Sequence, residues 1–280
     1  MSFDDTGTSS LEAPPLPTRR VKLTFEFDGT HFQGWQRQPF GERTVQGAIE
    51  AALARLPGRH GTVIGAGRTD AGVHALAMVA HVDTTSAIPD EKLRLALNAH
   101  LPSDVVVLAL ETVDGAFEAQ FGCRYRRYLY RLRVVRGDQR GVALSRDRVL
   151  SVYRRLDVPA MQAACAPLTG RRDFAAFATQ ETRTTTRTVL LCDLREESGE
   201  LRLHIAADGF LRNMVRTVVG TLQWVGTGKL TPADVETIVA SRDRRRAGQN
   251  VAPHGLYFVE AGYQPWDQVR SERLVSDLVL

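Results

Sequence analysis

From Val21 the chain alternates apolar and polar residues through Val21, Leu23, Phe25 and Phe27. That two-residue period belongs to a strand with one face in a core. After a polar loop, Val45, Ile49, Ala52, Leu53 and Leu56 recur at helical spacing. Short strands are expected at residues 63–64 and 78–82, a helix over 89–101 and a β-branched strand over 105–110. The first half therefore reads β-α-β-loop-β-α-β. A long strand over residues 123–135 opens the second half, with Arg126, Tyr128, Tyr130, Leu132 and Val134 on one face. A helix near 159–166, strands near 188–195 and 201–207, and a helix over 212–225 follow. Thr231 and Pro232 then supply an N-cap and a first-turn proline for a helix ending near 240, and residues 256–262 form the last strand.

The pattern predicts an α+β protein of two related halves, 19–115 and 116–265, each resembling an RRM or ferredoxin-like unit. The halves share one extended, mainly antiparallel sheet with helices packed on it, and a cleft between them is the expected ligand site. Residues 1–18, rich in Ser, Thr, Pro and Asp, read as a disordered tail, and residues 266–280 as a C-terminal extension.

Charge adds a partner. The net charge is only +4, but residues 121–155 hold eleven arginines against Asp138 and Asp147. Tyr125, Tyr128 and Tyr130 interleave with Arg124, Arg126, Arg127 and Arg131, combining phosphate-pairing cations with flat rings that stack on bases. A polyanion with exposed bases is the expected ligand. Cys123, Cys165 and Cys192 form no ligand cluster and read as reduced core thiols. With no leader pattern and no long apolar run, a cytoplasmic protein without membrane partners is expected.

The segment GAGRTDAGVHA, residues 65–75, follows a strand and contains Gly-x-Gly, yet it is not a dinucleotide fingerprint. Asp70 stands where the third glycine belongs, and its charge would repel a pyrophosphate. Nor is there a Gly-Lys-Ser/Thr for a P-loop. The glycines permit a tight turn that projects Arg68 and Asp70. His74 and His81 lack acidic or thiol companions at zinc-like spacing, so no metal is expected. In the first loop, Asp28, Gln36 and Arg37 are candidates to touch RNA, and Trp35 is equally suited to packing.

GAGRTDAGVHA closely resembles the catalytic loop of the TruA family of tRNA pseudouridine synthases. The resemblance extends through FDGTHFQGWQRQ (27–38), FEAQFGCRYRRYLY (117–130), DGFLRNMVRTVVG (208–220) and APHGLYFVEAGY (252–263), spanning essentially residues 20–263. It implies the pseudouridine synthase fold, a homodimer gripping the tRNA anticodon arm, and isomerisation of uridines 38, 39 and 40. By the same resemblance Asp70 is the catalytic carboxylate, with Tyr128 and Arg216 beside it. Arg68 would fill the space of an extruded uridine, Leu256 would line the uracil pocket, and Phe117, Gln120, Arg127, Arg131 and Arg183 would bind substrate. The chain departs from common family usage at Arg212-Asn213 and over residues 182–187, positions that concern RNA contacts more than chemistry.

The reaction breaks the N1–C1′ bond of uridine and joins C5 to C1′ without redox change, so no cofactor is expected. It needs a carboxylate near C1′, either to add to the sugar or to take a sugar proton, and a cation to keep that carboxylate ionised in a pocket. Two other functions share parts of the pattern. A non-catalytic tandem RRM-like module would carry the aromatic RRM strand motif, which is absent, and has no use for a carboxylate amid phosphate contacts. A glycosidase would show a second acid beside Asp70.

Overall fold

The opening alternation forms β1 (Arg19–Phe27), with Val21, Leu23, Phe25 and Phe27 buried and the intervening side chains turned outward. The structure is a computed structural model that describes residues 18–137, 141–179 and 184–269. The expectations for residues 1–17, for Arg183 and for residues 270–280 lie outside those described residues. After β1 come α1 (Val45–Leu53), β2 (Ile64–Gly65), β3 (His74–Thr84), α2 (Asp90–His100) and β4 (Val105–Val113). Next are β5 (Tyr125–Val134), β6 (Leu150–Val152), α3 (Val158–Ala163), β7 (Gly170–Asp173) and β8 (Thr186–Glu197). The chain continues through β9 (Glu200–Ala207), α4 (Met214–Gly226), α5 (Pro232–Ser241) and β10 (Leu256–Gly262).

All ten strands join one mixed sheet in the order β4-β1-β3-β10-β5-β9-β8-β7, with β2 beside β3 and β6 beside β5. The last strand inserts at the middle. β10 runs parallel to β3, pairing Tyr257 with His74 and Phe258 with Ala75, and antiparallel to β5, pairing Phe258 with Tyr128. That placement sets the end of the Gly-rich segment beside Tyr128, far apart as they are in sequence.

Buried apolar residues of all five helices share one core with alternate residues of the strands, among them Phe25, Tyr128, Tyr130, Leu203 and Phe258. Burying each such side chain is worth about 1.5–3 kcal/mol. Among the described residues the opposite face of the sheet carries a small apolar cluster, Leu129, Tyr257 and Val259 with Leu76 against it. Helix starts follow the sequence signals: Thr231 caps α5 in a capping box with Asp234, and Pro232 occupies its first turn.

Several elements differ from expectation. Strand β3 begins at His74 because its parallel pairing with β10 recruits the tail of the Gly-rich segment. Strands β6 and β7 are too short to show a period and exist only through their partners β5 and β8. α4 starts at Met214 and not at 212, because Asn213 holds a left-handed backbone. Among the described residues no helix is long and apolar enough to cross a membrane.

Candidate active site

The segment after β2 returns to β3 through a turn in which the Val73 N–H donates to the Asp70 carbonyl at 3.2 Å. The first loop backs this turn. Trp35 N donates to the Thr69 carbonyl at 3.1 Å, and Gly72 N to the Phe32 carbonyl at 3.3 Å. Such contact requires glycine on the facing side. A Cβ at Gly29 would lie 2.0 Å from the Val73 oxygen, and one at Gly34, where φ is +87°, would lie 2.6 Å from the Thr69 oxygen. The first loop is thus a brace for the turn, and Trp35 is a core residue stacked on Phe25.

So braced, Asp70 presents a carboxylate that remains 37% exposed, with Oδ2 accepting from Arg216 Nη1 at 3.0 Å. Arg216 projects from the first turn of α4, and its Nε donates to the Val251 carbonyl at 2.8 Å. Tyr128 stands on the same side, its ring edge-to-face with Phe210 at 5.0 Å and Phe258 at 5.2 Å. Burial pushes its phenol well above the ordinary tyrosine value; the Arg126 charge opposes this, and the Asp70 charge adds to it. The phenol is therefore neutral at pH 7. Leu256 opens β10 opposite Tyr130 and is buried in the main core. Arg68, on the turn itself, is exposed and makes no hydrogen bond or ion pair among the described residues.

The structure thus brings together Asp70, Arg216 and Tyr128 around one open carboxylate, with Arg68 on its rim. Such a group can attack an electrophilic carbon or take a proton while the guanidinium fixes its orientation.

A family model described as tRNA pseudouridine synthase matches residues 23–126 and 164–264. The chain belongs to the tRNA pseudouridine synthase family. The tRNA pseudouridine synthase A of Thermus thermophilus is 46% identical over 249 residues, 88% of this chain and 97% of its own length. The enzyme of the same name from Acetivibrio thermocellus is 42% identical over 247 residues, 88% of this chain and its entire length. That of Afipia carboxidovorans is 43% identical over 87% of this chain and 99% of its own. Asp70 and Arg216 fall inside the segments matched by the family model, and Tyr128 lies two residues beyond the first.

Other residues expected to bind substrate do not join the cluster. Arg127 and Arg131 project to the opposite side of β5 from Tyr128, as strand alternation demands. There Arg131 donates to both Glu200 oxygens at 2.8 and 3.0 Å, Arg133 adds a contact at 3.0 Å, and Arg127 faces Glu260 at 3.6 Å. Arg131 and Arg133 are therefore engaged within the chain, sharing the one Glu200 carboxylate across the β5–β9 pair, while the strand as a whole stays basic. Phe117 packs between Tyr263, at 5.0 Å, and the edge of His81, away from Asp70. Gln120 meets the site only indirectly, through its carbonyl.

That carbonyl points to Arg126, which the sequence placed among the phosphate-pairing cations and which the structure instead spends on backbone carbonyls. Arg126 makes five hydrogen bonds, to the carbonyls of Ala66 (two), Gln120, Cys123 and Asp208, and so ties the Gly-rich turn to β5 and β9. All five guanidinium donors are used. The signal was available: alternation puts Arg126 on the Tyr128 face.

His74, buried at the end of the turn, is a second tie. Its Nδ1 accepts from Gly29 N at 3.0 Å, and its Nε2 donates to the carbonyls of Asp147 at 2.9 Å and His254 at 3.2 Å. Asp28 completes this clip, facing Arg148 at 2.5 Å and capping Thr30. Among the described residues no group of three or more His, Cys, Asp or Glu is arranged to hold a metal.

Proposed function

We propose that this chain isomerises uridines 38, 39 and 40 of the tRNA anticodon arm to pseudouridine, with Asp70 as the catalytic carboxylate, in the cytoplasm and as a homodimer. That it is a tRNA pseudouridine synthase, an isomerase, follows from its family. The observation that carries the assignment of Asp70 is its geometry: a carboxylate on a braced, glycine-lined turn, open on one side and hydrogen-bonded by a partly buried arginine on the other.

The site would sit between the halves 19–115 and 116–265. A uridine must leave its stack to reach Asp70, at a cost of a few kcal/mol. The unengaged Arg68 guanidinium is free to stack in the space it leaves. Asp70 then meets C1′, adding to it or taking a sugar proton, and the N1–C1′ bond breaks. The uracil turns against the neutral Tyr128 ring and C5 bonds to C1′ as the Asp70–C1′ bond breaks or, on the other route, as Asp70 returns the sugar proton; the proton displaced from C5 is balanced by the one N1 gains. Tyr128 can stack and relay a proton, but as a neutral phenol it is no phenolate base.

The homodimer rests on the family resemblance alone. Incubating the protein with an unmodified tRNA transcript and mapping pseudouridine tests the assigned reaction. Modification at 38–40 that Asp70→Asn abolishes, with tRNA affinity within a few-fold, is the expected result. Residual turnover above about one per cent would sink the catalytic assignment.

A further inference from the structure

We propose that Asn213 is a positioning residue that fixes the direction of Arg216 toward Asp70, and that the left-handed backbone at the start of α4 is retained for this purpose. The inference rests on the reading of Asp70 and Arg216 as a working pair.

A residue preceding a helix normally has an extended backbone, and its side-chain oxygen accepts from an N–H of the first turn. Thr44, Asp157 and Thr231 do so at the starts of α1, α3 and α5. Asn213 does neither. Its φ and ψ are 62° and 7°, and its side chain makes no capping bond. Instead Oδ1 accepts from Arg216 Nη1 at 3.1 Å. The amide has exchanged a helix cap for the guanidinium three residues on.

Only Ser198, Asn213 and Arg242 among the described non-glycine residues have positive φ. Ser198 sits in the tight β8–β9 turn and Arg242 ends α5, places where a chain reversal or helix stop accounts for the conformation. No helix stop explains Asn213. A strained backbone persists where the surroundings over-determine it, and here it stands next to the reacting pair. Asparagine tolerates this conformation better than most residues.

The consequence is geometric. Arg216 Nη1 is shared between Asp70 Oδ2 and Asn213 Oδ1, while Nε is held by the Val251 carbonyl. Three acceptors from three separate segments fix the guanidinium plane. With Asn213 removed, Arg216 keeps Val251 and can rotate about that contact, so its alignment with Asp70 is lost while its charge remains.

Two variants separate side chain from backbone. Asn213→Gly keeps the left-handed conformation without strain but removes the oxygen; Asn213→Ala removes the oxygen and strains the backbone. In single-turnover and steady-state assays with a tRNA transcript, both are expected to lose kcat by on the order of 10- to 100-fold, as misalignment at a reacting centre does. KM should stay within about threefold, since Asn213 Oδ1 faces Arg216 and not the RNA contact expected of it from the sequence. Their thermal midpoints should differ, Asn213→Gly matching the parent and Asn213→Ala melting lower. An Asn213→Gly protein that turns over at the parent rate on saturating tRNA overturns the inference. Asp70→Asn run alongside distinguishes the two failures: if it too is active, the pair itself is misassigned; if it is inactive, only the role of Asn213 falls.

Discussion

Asp28 and Asp70 each face an arginine, and the two pairs are built for opposite ends. Asp28 accepts from Arg148 and from both the N–H and the hydroxyl of Thr30, and it lies 3.1 Å from His74. Burial alone would raise its carboxyl, but the Arg148 and Thr30 hydrogen bonds win and hold it far below the ordinary range. Among the described residues Asp70 has a single side-chain hydrogen bond, from Arg216, and its carboxylate is partly open on the other side. A saturated carboxylate fastens loops together, whereas an under-coordinated one is left free to react. The difference between clip and reagent lies in the number of partners and not in the residue types.

The largest test of that contrast removes a partner from each. Arg216→Met keeps volume but leaves Asp70 without its cation, and should reduce single-turnover rate on the order of 100-fold while the thermal midpoint moves little. Asp28→Ala should do the reverse, costing about 1–2 kcal/mol of stability through the lost Thr30 cap and Arg148 contact and leaving activity within a few-fold once the protein is folded. Denaturant titration beside single-turnover assays would check both; a stability loss at Arg216 as large as that at Asp28 would erase the distinction.

Proton uptake sharpens it further. Burial holds His74, His81, His204 and His254 below the ordinary histidine value of 6.5. A group whose folded value is depressed stays neutral while the unfolded chain binds a proton, so its stabilisation is complete above about pH 6.5 and is lost as pH falls through the folded value. Asp28 stays ionised across that window and adds no slope. The thermal midpoint should therefore fall between pH 7.5 and 5.5, with a shallower fall in His74→Asn. A flat midpoint would mean these histidines are not neutral clips.

The smallest effect concerns the arginine run. Arg124 is exposed, whereas Arg131 and Arg133 are engaged by Glu200. Arg124→Gln should make the slope of log affinity for tRNA against log salt shallower by roughly 0.7–0.9. Arg131→Gln should change it by less than half as much. Equal changes would show that the Glu200 pairs open on binding.

Much of this was legible beforehand, and the exceptions share a cause. The alternation in β1, the cap and proline of α5, and the turn carrying Arg68 and Asp70 are local patterns, and each is where the residues indicated. Period-two alternation also sorted β5 into two faces, with Tyr128 on one and Arg127 and Arg131 on the other. What a local pattern does not contain is the identity of the facing partner. Arg131 meets Glu200 across 69 positions and Arg216 meets Asp70 across 146. Only the insertion of β10 between β3 and β5 and the pairing of β5 with β9 bring such groups together. The sequence by itself determined the longer elements, the reactive turn and the basic character of the long strand. The tertiary structure decided which arginines were paired, which one was aimed at Asp70, and that Asn213 would give up a helix cap to aim it, because charge pairing and desolvation depend on distance in space and not along the chain.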